Sequence, residues 1–101
     1  MANSWRDVRA RVELDEARVA AHRERMRQEI RAARLAEVRL EHGMSQTQLA
    51  ERMGVSQARV SAIEKGELPT TEVGTVAKYI AALGGRLQIV ADFGDEKLVL
   101  S

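Results

Sequence analysis

The segment from Ser45 to Gly66, SQTQLAERMGVSQARVSAIEKG, constrains the fold of this chain more than any other. Its apolar residues recur at helical spacing and predict two short helices joined by a tight turn. Ser45 and Gln48 form a capping box at the start of the first helix. Gly54 permits the positive φ of the turn, and Ser56 is the N-cap of the second helix. The predicted inward positions are Leu49, Ala50, Met53, Val60 and Ile63.

Two helices joined by a short turn containing glycine are typical of the helix-turn-helix motif. The second helix of this motif lies in the DNA major groove, with its N-terminal residues at the base edges. Gln57 occupies that position, and a glutamine amide can bond bidentately to N6 and N7 of adenine. An ordinary helical hairpin is the alternative, but it gives no reason for the polar outer face.

The candidate DNA-contacting residues lie on or beside these two helices. Arg59 can reach guanine or a phosphate, Ser61 can bond to either, and the small side chains can touch thymine methyl groups. Lys65 and Arg52 suit phosphates, although a solvated surface charge is the commoner role of any single cation. Three small side chains on the reading face also favour some readout of DNA shape. The full candidate set is Gln46, Arg52, Ser56, Gln57, Ala58, Arg59, Ser61, Ala62 and Lys65.

The segment resembles the Xre/Cro-repressor family of helix-turn-helix proteins. The resemblance rests on Ser45-Gln46, Leu49-Ala50, Gly54-Val55-Ser56-Gln57, Val60-Ser61 and Ile63-Glu64-Lys65-Gly66. It implies that Ala32–His42 contains the first helix of the domain and that Gln46 and Gln57 are paired DNA contacts. It also implies a structural ion pair, partly buried, between Arg39 and Glu64. The residues of the first helix expected to face the core are Leu35, Ala36 and Leu40.

The N-terminal extension, residues 1–31, is highly charged and is not needed by the helix-turn-helix domain. Ser4 is expected to cap a short helix through Val12, and Asp15 a longer one reaching about His42. A thin apolar stripe recurs every seven residues. A coiled coil needs a second apolar position in each heptad, and that position is often Arg or Glu here, which argues against a stable coiled coil. Two interpretations stay open: a solvated amphipathic helix, or a segment that binds a partner protein. The stripe consists of Val12, Val19, Met26, Ala33 and Leu40.

The residues after the motif predict a further helix and then a hairpin. Thr71 is expected to cap a helix through about Leu83, with Val73, Val76, Ala77 and Ile80 at helical spacing. Strand alternation follows over 86–93, with a turn at 94–96 and a short return strand. An isolated hairpin is marginal in water and exposes unpaired edges. It is therefore expected to pack on the helices, to pair with the same hairpin of a second copy, or both. The strand residues expected on one face are Leu87, Ile89, Ala91 and Phe93.

Composition argues against catalysis and leaves DNA binding to local placement of charge. The 101 residues carry a net charge of only +1 and no cysteine, which excludes disulfides and thiol chemistry. His22 and His42 lack metalloprotease spacing, and no glycine-rich phosphate loop occurs. We therefore expect no enzyme activity and no catalytic, cofactor-binding or metal site. The polar N-terminus and the lack of a long apolar run predict a cytoplasmic protein that does not bind membranes.

Nearly the whole chain is similar to HigA-type antitoxins, which are Xre-family proteins of bacterial toxin–antitoxin operons. Beyond the motif, the resemblance rests on Trp5, the long Arg/Ala/Glu-rich helix, and the ending Tyr79-Ile80-Ala81-Ala82-Leu83-Gly84-Gly85-Arg86-Leu87 with Ala91-Asp92-Phe93. The expected fold is mainly α, a lambda-repressor-like helix-turn-helix bundle with an N-terminal helical extension and a C-terminal β-hairpin. The expected units are residues 1–31, the domain 32–85, and the hairpin 86–101 for dimerisation.

The resemblance implies a homodimer that binds double-stranded operator DNA and represses its own operon. It also implies a cognate toxin protein, an mRNA-cleaving enzyme that the antitoxin neutralises. Two other classes remain at this point: a stand-alone Xre-family transcriptional repressor without a toxin partner, and a protein-interaction module that has lost DNA binding.

Overall fold

The computed structural model describes residues 4–101, so residues 1–3 of the predicted N-terminal extension lie outside the described residues. This part of the chain forms four α-helices, a single 3₁₀ turn and a two-stranded antiparallel hairpin. The predicted mainly α fold with a terminal β-hairpin is confirmed. The elements are α1 (Trp5–Glu41), α2 (Gln46–Met53), α3 (Gln57–Glu64), the 3₁₀ turn (Leu68–Thr70), α4 (Val73–Ala82), β1 (Val90–Asp92) and β2 (Lys97–Val99).

Helix α1 is continuous over 37 residues. The predicted break between a helix ending at Val12 and one capped by Asp15 is therefore wrong. The segment contains no glycine or proline and is rich in the strong helix formers Arg, Ala and Glu, so nothing interrupts it. Ser4 caps the helix as predicted, because its Oγ accepts a hydrogen bond from Asp7 N at 3.2 Å. No helix within residues 4–101 has the length and apolar character needed to cross a membrane.

The caps and the turn of the helix-turn-helix are confirmed. Ser45 Oγ accepts from Gln48 N at 3.1 Å, and Gln48 Oε1 accepts from Ser45 N at 2.8 Å, which closes the capping box. Gly54 ends α2 at φ 73°, in the left-handed region that glycine adopts without strain. Ser56 Oγ accepts from Arg59 N at 3.2 Å and so caps α3. These local features define where α2 begins and ends and where α3 begins.

The core lies between α2, α3, α4 and the C-terminal third of α1. All five predicted inward positions of the helix-turn-helix are buried. Burying each such aliphatic side chain contributes about 1.5–3 kcal/mol relative to leaving it exposed. Tyr79, on α4, is also completely buried, although it is not among the positions predicted to face inward. The buried cluster consists of Leu49, Ala50, Met53, Val60, Ile63, Tyr79 and Leu83.

Two predictions about the flanking helices are wrong. Leu40 is 64% exposed rather than in the core, because the neighbouring Arg39 takes the inward position of α1. Val73 is the first residue of α4, and its side chain is exposed. Thr71 does not cap α4, which begins after Glu72 without a side-chain cap; Thr71 Oγ1 instead donates to Glu67 O at 2.7 Å. The other predicted residues, Leu35, Ala36, Val76, Ala77 and Ile80, are half-buried.

Helix α1 docks on the domain only through its C-terminal part. Residues 4–27 are exposed throughout, whereas Ala32 is fully buried. Gly66, just after α3, marks where the two helices approach, because a Cβ there would lie 3.4 Å from the backbone N of Glu29. Gly66 also has φ 103°, so a larger residue would be strained and crowded at once. Roughly the first six turns of α1 thus extend away from the core.

The hairpin is shorter than predicted and largely uncovered. Its register pairs Val90 with Val99, Ala91 with Leu98 and Asp92 with Lys97. The turn at 94–96 is confirmed, since Phe93 N donates to Glu96 O at 2.8 Å. Strand β1 covers 90–92 rather than 86–93. On the predicted inner face Leu87, Ile89 and Ala91 are half-buried, but Phe93 is exposed.

A buried ion pair joins α1 to α3. Arg39 Nε donates to Glu64 Oε2 at 2.9 Å, and the two side chains are only 9% and 4% exposed. Arg39 Nη2 donates to the other carboxylate oxygen at 2.9 Å, and Nη1 donates to Met44 O at 2.8 Å. Such a pair gains little net stability over apolar packing, but a partner left alone in the core is costly.

Arg39→Ala should therefore destabilise the protein by about 3–5 kcal/mol, because it leaves the Glu64 carboxylate buried without its cation. Arg31→Ala, an exposed arginine on the same helix, is the matched control and should change the free energy of unfolding by no more than about 0.5 kcal/mol. Urea unfolding of both variants measures the difference. Equal losses would contradict the role given to the ion pair.

Candidate DNA interface

Helix α3 presents a polar face to solvent because its apolar residues lie three positions apart. Val60 and Ile63 are completely buried and fix which side faces the core. At roughly 100° per residue, the centre of the opposite side is occupied by small or cationic residues. Ser61 and Ala62 are half-buried there, whereas the remaining residues of this face are exposed. The outward residues are Ala58, Ser61, Ala62 and Lys65, with Gln57 and Arg59 at the edges.

Gln57 and Arg59 lie on opposite edges of this outward face. Two positions along a helix turn the side chain by roughly 200°, so the two residues cannot point the same way. Gln57 faces α2, and its Nε2 donates to Gln46 Oε1 at 2.6 Å. Both residues are candidate DNA contacts from the sequence, and the structure places them on opposite edges of the outward face. The role of Arg59 in DNA binding stays a prediction.

The two glutamines open their helices and meet across the turn. Gln46 is the first residue of α2 and Gln57 the first residue of α3. Both side chains therefore lie beside the N-terminal amides that favour anionic groups. Gln46 Nε2 also donates to Glu64 Oε1 at 3.1 Å. The exposed Gln57 is thereby connected through Gln46 to a carboxylate in the interior.

The Glu64 carboxylate, on α3, is held by donors from the other three helices. Arg39 of α1 bonds to both of its oxygens, and Gln46 of α2 donates to Oε1. Tyr79 of α4 donates its hydroxyl to Oε2 at 2.6 Å. No buried side-chain nitrogen or oxygen among the described residues lacks a partner. The network is therefore fully satisfied, as a buried polar network must be to avoid a desolvation penalty.

The protonation states of this network follow from its surroundings. Burial by itself disfavours the charged form of Glu64, but the hydrogen bonds from Arg39, Tyr79 and Gln46 outweigh it and lower the pKa of the carboxyl. Burial and the adjacent Glu64 carboxylate raise the pKa of Tyr79. At neutral pH Glu64 is thus an ionised acceptor, and Tyr79 is a protonated donor.

The other candidate residues differ in how free their side chains are. Arg52 Nη1 donates to Ala82 O, near the end of α4, at 3.3 Å, so its guanidinium is already partly engaged. The Ser56 hydroxyl is used as the cap of α3. Lys65 is the exposed C-cap of α3. Within residues 4–101, no cluster of three or more acidic or histidine side chains is placed to hold a metal ion.

Tyr79 is the residue of this network that the sequence analysis missed. The signal was present, because Tyr79 lies three residues after Val76 and four before Leu83, on the inward side of α4. A buried tyrosine also requires a hydrogen-bond partner for its hydroxyl. Which partner it finds depends on how α4 crosses α3, and the sequence pattern does not contain that information.

The sequence matches known helix-turn-helix proteins. A family model described as "Helix-turn-helix" matches residues 35–90. Two relatives from Mycobacterium tuberculosis (strain ATCC 25618 / H37Rv) match along the whole chain. "Putative antitoxin HigA3" is 51% identical over 108 residues, covering 100% of this chain and 97% of the relative. "Putative antitoxin HigA2" is 41% identical over 101 residues, with 100% of both chains covered.

Two solved structures are similar in fold and in sequence. The structure described as "Induced DNA bending by unique dimerization of HigA antitoxin" has a TM-score of 0.52 at 53% identity, covering 66% of this chain and 90% of that chain. "DNA bound antitoxin HigA3" has a TM-score of 0.56 at 51% identity, covering 65% of this chain and 86% of that chain.

Proposed function

The chain belongs to the HigA-type antitoxins of the Xre helix-turn-helix family, and we propose that it acts in the cytoplasm as a homodimer on operator DNA. There it represses its own operon and neutralises a cognate mRNA-cleaving toxin. The observation that best supports DNA binding is the polar outward face of α3, at whose start Gln57 is hydrogen-bonded to Gln46. A relative with a solved structure is described as DNA bound, which supports this assignment.

The antitoxin role is favoured over a stand-alone repressor by the extent of the similarity. Both relatives named as antitoxins match the whole chain, including the extension and the hairpin that a DNA-binding domain alone does not need. These relatives are named as antitoxins and not as enzymes. We therefore assign DNA binding to α2 and α3, and protein–protein contacts to the two ends of the chain.

Gln57→Ala should weaken binding to the specific operator by about 1–3 kcal/mol and relax the preference at one base pair. Lys65→Ala should weaken binding to all sequences alike and reduce the salt dependence by about one counterion, because it contacts phosphate only. Both variants are titrated against promoter DNA from the protein's own operon and against a scrambled duplex. The comparison separates a loss of sequence specificity from a general loss of affinity. Unchanged specificity in Gln57→Ala would mean that α3 is not the reading helix.

The hairpin is the proposed dimer interface. Five of its large apolar side chains are 43–67% exposed in a single chain, and both of its edges are unpaired in the described residues. A relative of known structure is described as dimerising uniquely. A second copy would cover the apolar side chains and extend the short sheet, which a two-stranded hairpin needs to be stable. These five residues are Val90, Phe93, Leu98, Val99 and Leu100.

Replacing both Phe93 and Leu100 by Lys should weaken self-association by about tenfold or more, because two charges would enter the apolar contact. Both side chains are well exposed in one chain, so the monomer fold should survive. Val73→Lys is the control and should leave the dimer intact, because Val73 is an apolar residue on α4 that is 57% exposed. Sedimentation equilibrium measures the association, and a double variant that stays dimeric would place the interface elsewhere.

The exposed stripe of α1 is the proposed toxin-binding surface. Six apolar residues fall within an arc of roughly 60° at about 100° per residue, and they are 39–84% exposed. An isolated helix with such a stripe gains by covering it with a partner. Asp15 and Glu16 flank the stripe between Val12 and Val19 and suit the basic surface of an RNA-cleaving enzyme, although the segment also carries several arginines. The stripe residues are Trp5, Val8, Val12, Val19, Met26 and Ile30.

Replacing both Val12 and Val19 by Asp should abolish rescue of cells that express the toxin, because the charges would be buried in the contact. Operator binding should stay within about threefold, since α2 and α3 are unchanged. Leu14→Asp is the matched control, because Leu14 is 58% exposed and lies on the opposite side of α1.

The toxin for this test is a candidate from the neighbouring gene, since the proposed antitoxin role predicts a small basic protein encoded beside this one. Growth rescue and co-purification with the toxin are measured for the double variant and for Leu14→Asp. Loss of rescue in both variants would indicate a general effect on the helix. Full rescue by the double variant would move the toxin surface to the helical domain or the hairpin.

A further inference from the structure

A directed chain of hydrogen bonds leads from the buried Glu64 carboxylate to the exposed Gln57 amide. Gln46 Nε2 donates to Glu64 Oε1 at 3.1 Å, and Gln57 Nε2 donates to Gln46 Oε1 at 2.6 Å. Both bonds point the same way, toward the interior. Gln57 itself is exposed, so this chain ends at the surface that faces DNA in the proposed function.

Each link of this chain permits one amide orientation only. An ionised carboxylate accepts hydrogen bonds and donates none, so Gln46 must turn its NH₂ group toward Glu64. The carbonyl oxygen of Gln46 then faces Gln57 and also only accepts. Gln57 must therefore donate from its NH₂ group to this oxygen, which leaves the Oε1 atom and one N–H of Gln57 free. The acceptor character of the carboxylate is thus transmitted through two side chains.

The free groups of Gln57 match one base and not its purine alternative. Adenine presents an N6 donor and an N7 acceptor in the major groove, whereas guanine presents two acceptors, O6 and N7. One acceptor and one donor on Gln57 complement adenine. With the reverse polarity, Gln57 Oε1 would face Gln46 and both N–H groups would be free, a pattern that suits guanine.

We propose that Glu64 is a specificity-determining positioning residue, which sets the hydrogen-bond polarity of Gln57 so that it prefers adenine to guanine. This inference rests on the proposed operator binding. In it, a residue that does not contact the DNA determines which base is preferred. Arg39 and Tyr79 hold the carboxylate in place from α1 and α4, so the polarity is anchored in the core. The glutamines alone do not determine it, because two amides can pair in either direction.

The test compares Glu64→Gln with the wild-type protein. An amide at position 64 can turn either its oxygen or its nitrogen toward Gln46, which releases the constraint while keeping the size of the side chain. The site is first selected by the wild-type protein from a randomised duplex library, and duplexes with adenine or guanine at the Gln57 position are then titrated. We expect the preference for adenine to fall about tenfold, with affinity for a random duplex unchanged within about twofold.

A second variant keeps the test decisive if Glu64→Gln folds poorly. Gln46→Ala interrupts the series of hydrogen bonds at a half-buried residue, while Arg39, Glu64 and Tyr79 are unchanged. The preference for adenine should fall by about the same factor as in Glu64→Gln. In a Gln46→Ala background, Glu64→Gln should cause no further change in the ratio of the two affinities. Lys65→Ala is the control that weakens both duplexes while leaving the ratio unchanged.

The outcomes separate this inference from the proposed function. If Gln57→Ala removes the adenine preference but Glu64→Gln and Gln46→Ala both retain it, operator reading stands and the polarity inference is overturned. A wild-type preference for guanine at this position would overturn it as well. If Gln57→Ala leaves all specificity intact, the reading helix itself is misassigned and the proposed function fails first.

Discussion

The placement of one buried carboxylate depends on all four helices of the domain at once. Glu64 of α3 accepts hydrogen bonds from Arg39 of α1, Gln46 of α2 and Tyr79 of α4. Taking this charge out of water is costly, and the ion pair with Arg39 offsets the cost only while the geometry is complete. A different crossing of any one of the other three helices would remove one of the donors to this buried charge. The network therefore disfavours alternative packings more than it adds net stability.

The same network connects the core with the surface proposed to contact DNA. Gln57 and Gln46 are the first residues of α3 and α2, so the two helix starts on that proposed surface are bonded to the interior. The ends of the chain are organised differently, because residues 4–27 of α1 and much of the hairpin expose apolar side chains. A DNA-binding antitoxin needs both kinds of surface, a rigid one that reads bases and uncovered ones available to proteins.

The predictions from sequence succeeded where neighbouring residues determine the structure. The capping box of α2, the Ser56 cap of α3, the left-handed Gly54 and the inward faces of both helices depend on spacings of up to four residues, and all are present. The errors lie where local signals compete. Asp15 resembles an N-cap, but a long run of helix formers continues through it, and the hydroxyl of Thr71 bonds backward to Glu67 rather than starting α4. Arg39 rather than Leu40 faces the core, because its ion-pair partner Glu64, 25 residues further along the sequence, lies there.

The sequence by itself determined the helix-turn-helix, its polar outer face and the hairpin, because caps, glycines and hydrophobic period act within a few residues. Only the tertiary structure decided that Tyr79 donates to Glu64, that Gln46 joins Glu64 to Gln57, and that the N-terminal part of α1 stays uncovered. The direction of a hydrogen bond between two amides is not encoded in either residue. It is imposed here by a carboxylate that packing places beside them, and packing depends on the whole domain at once.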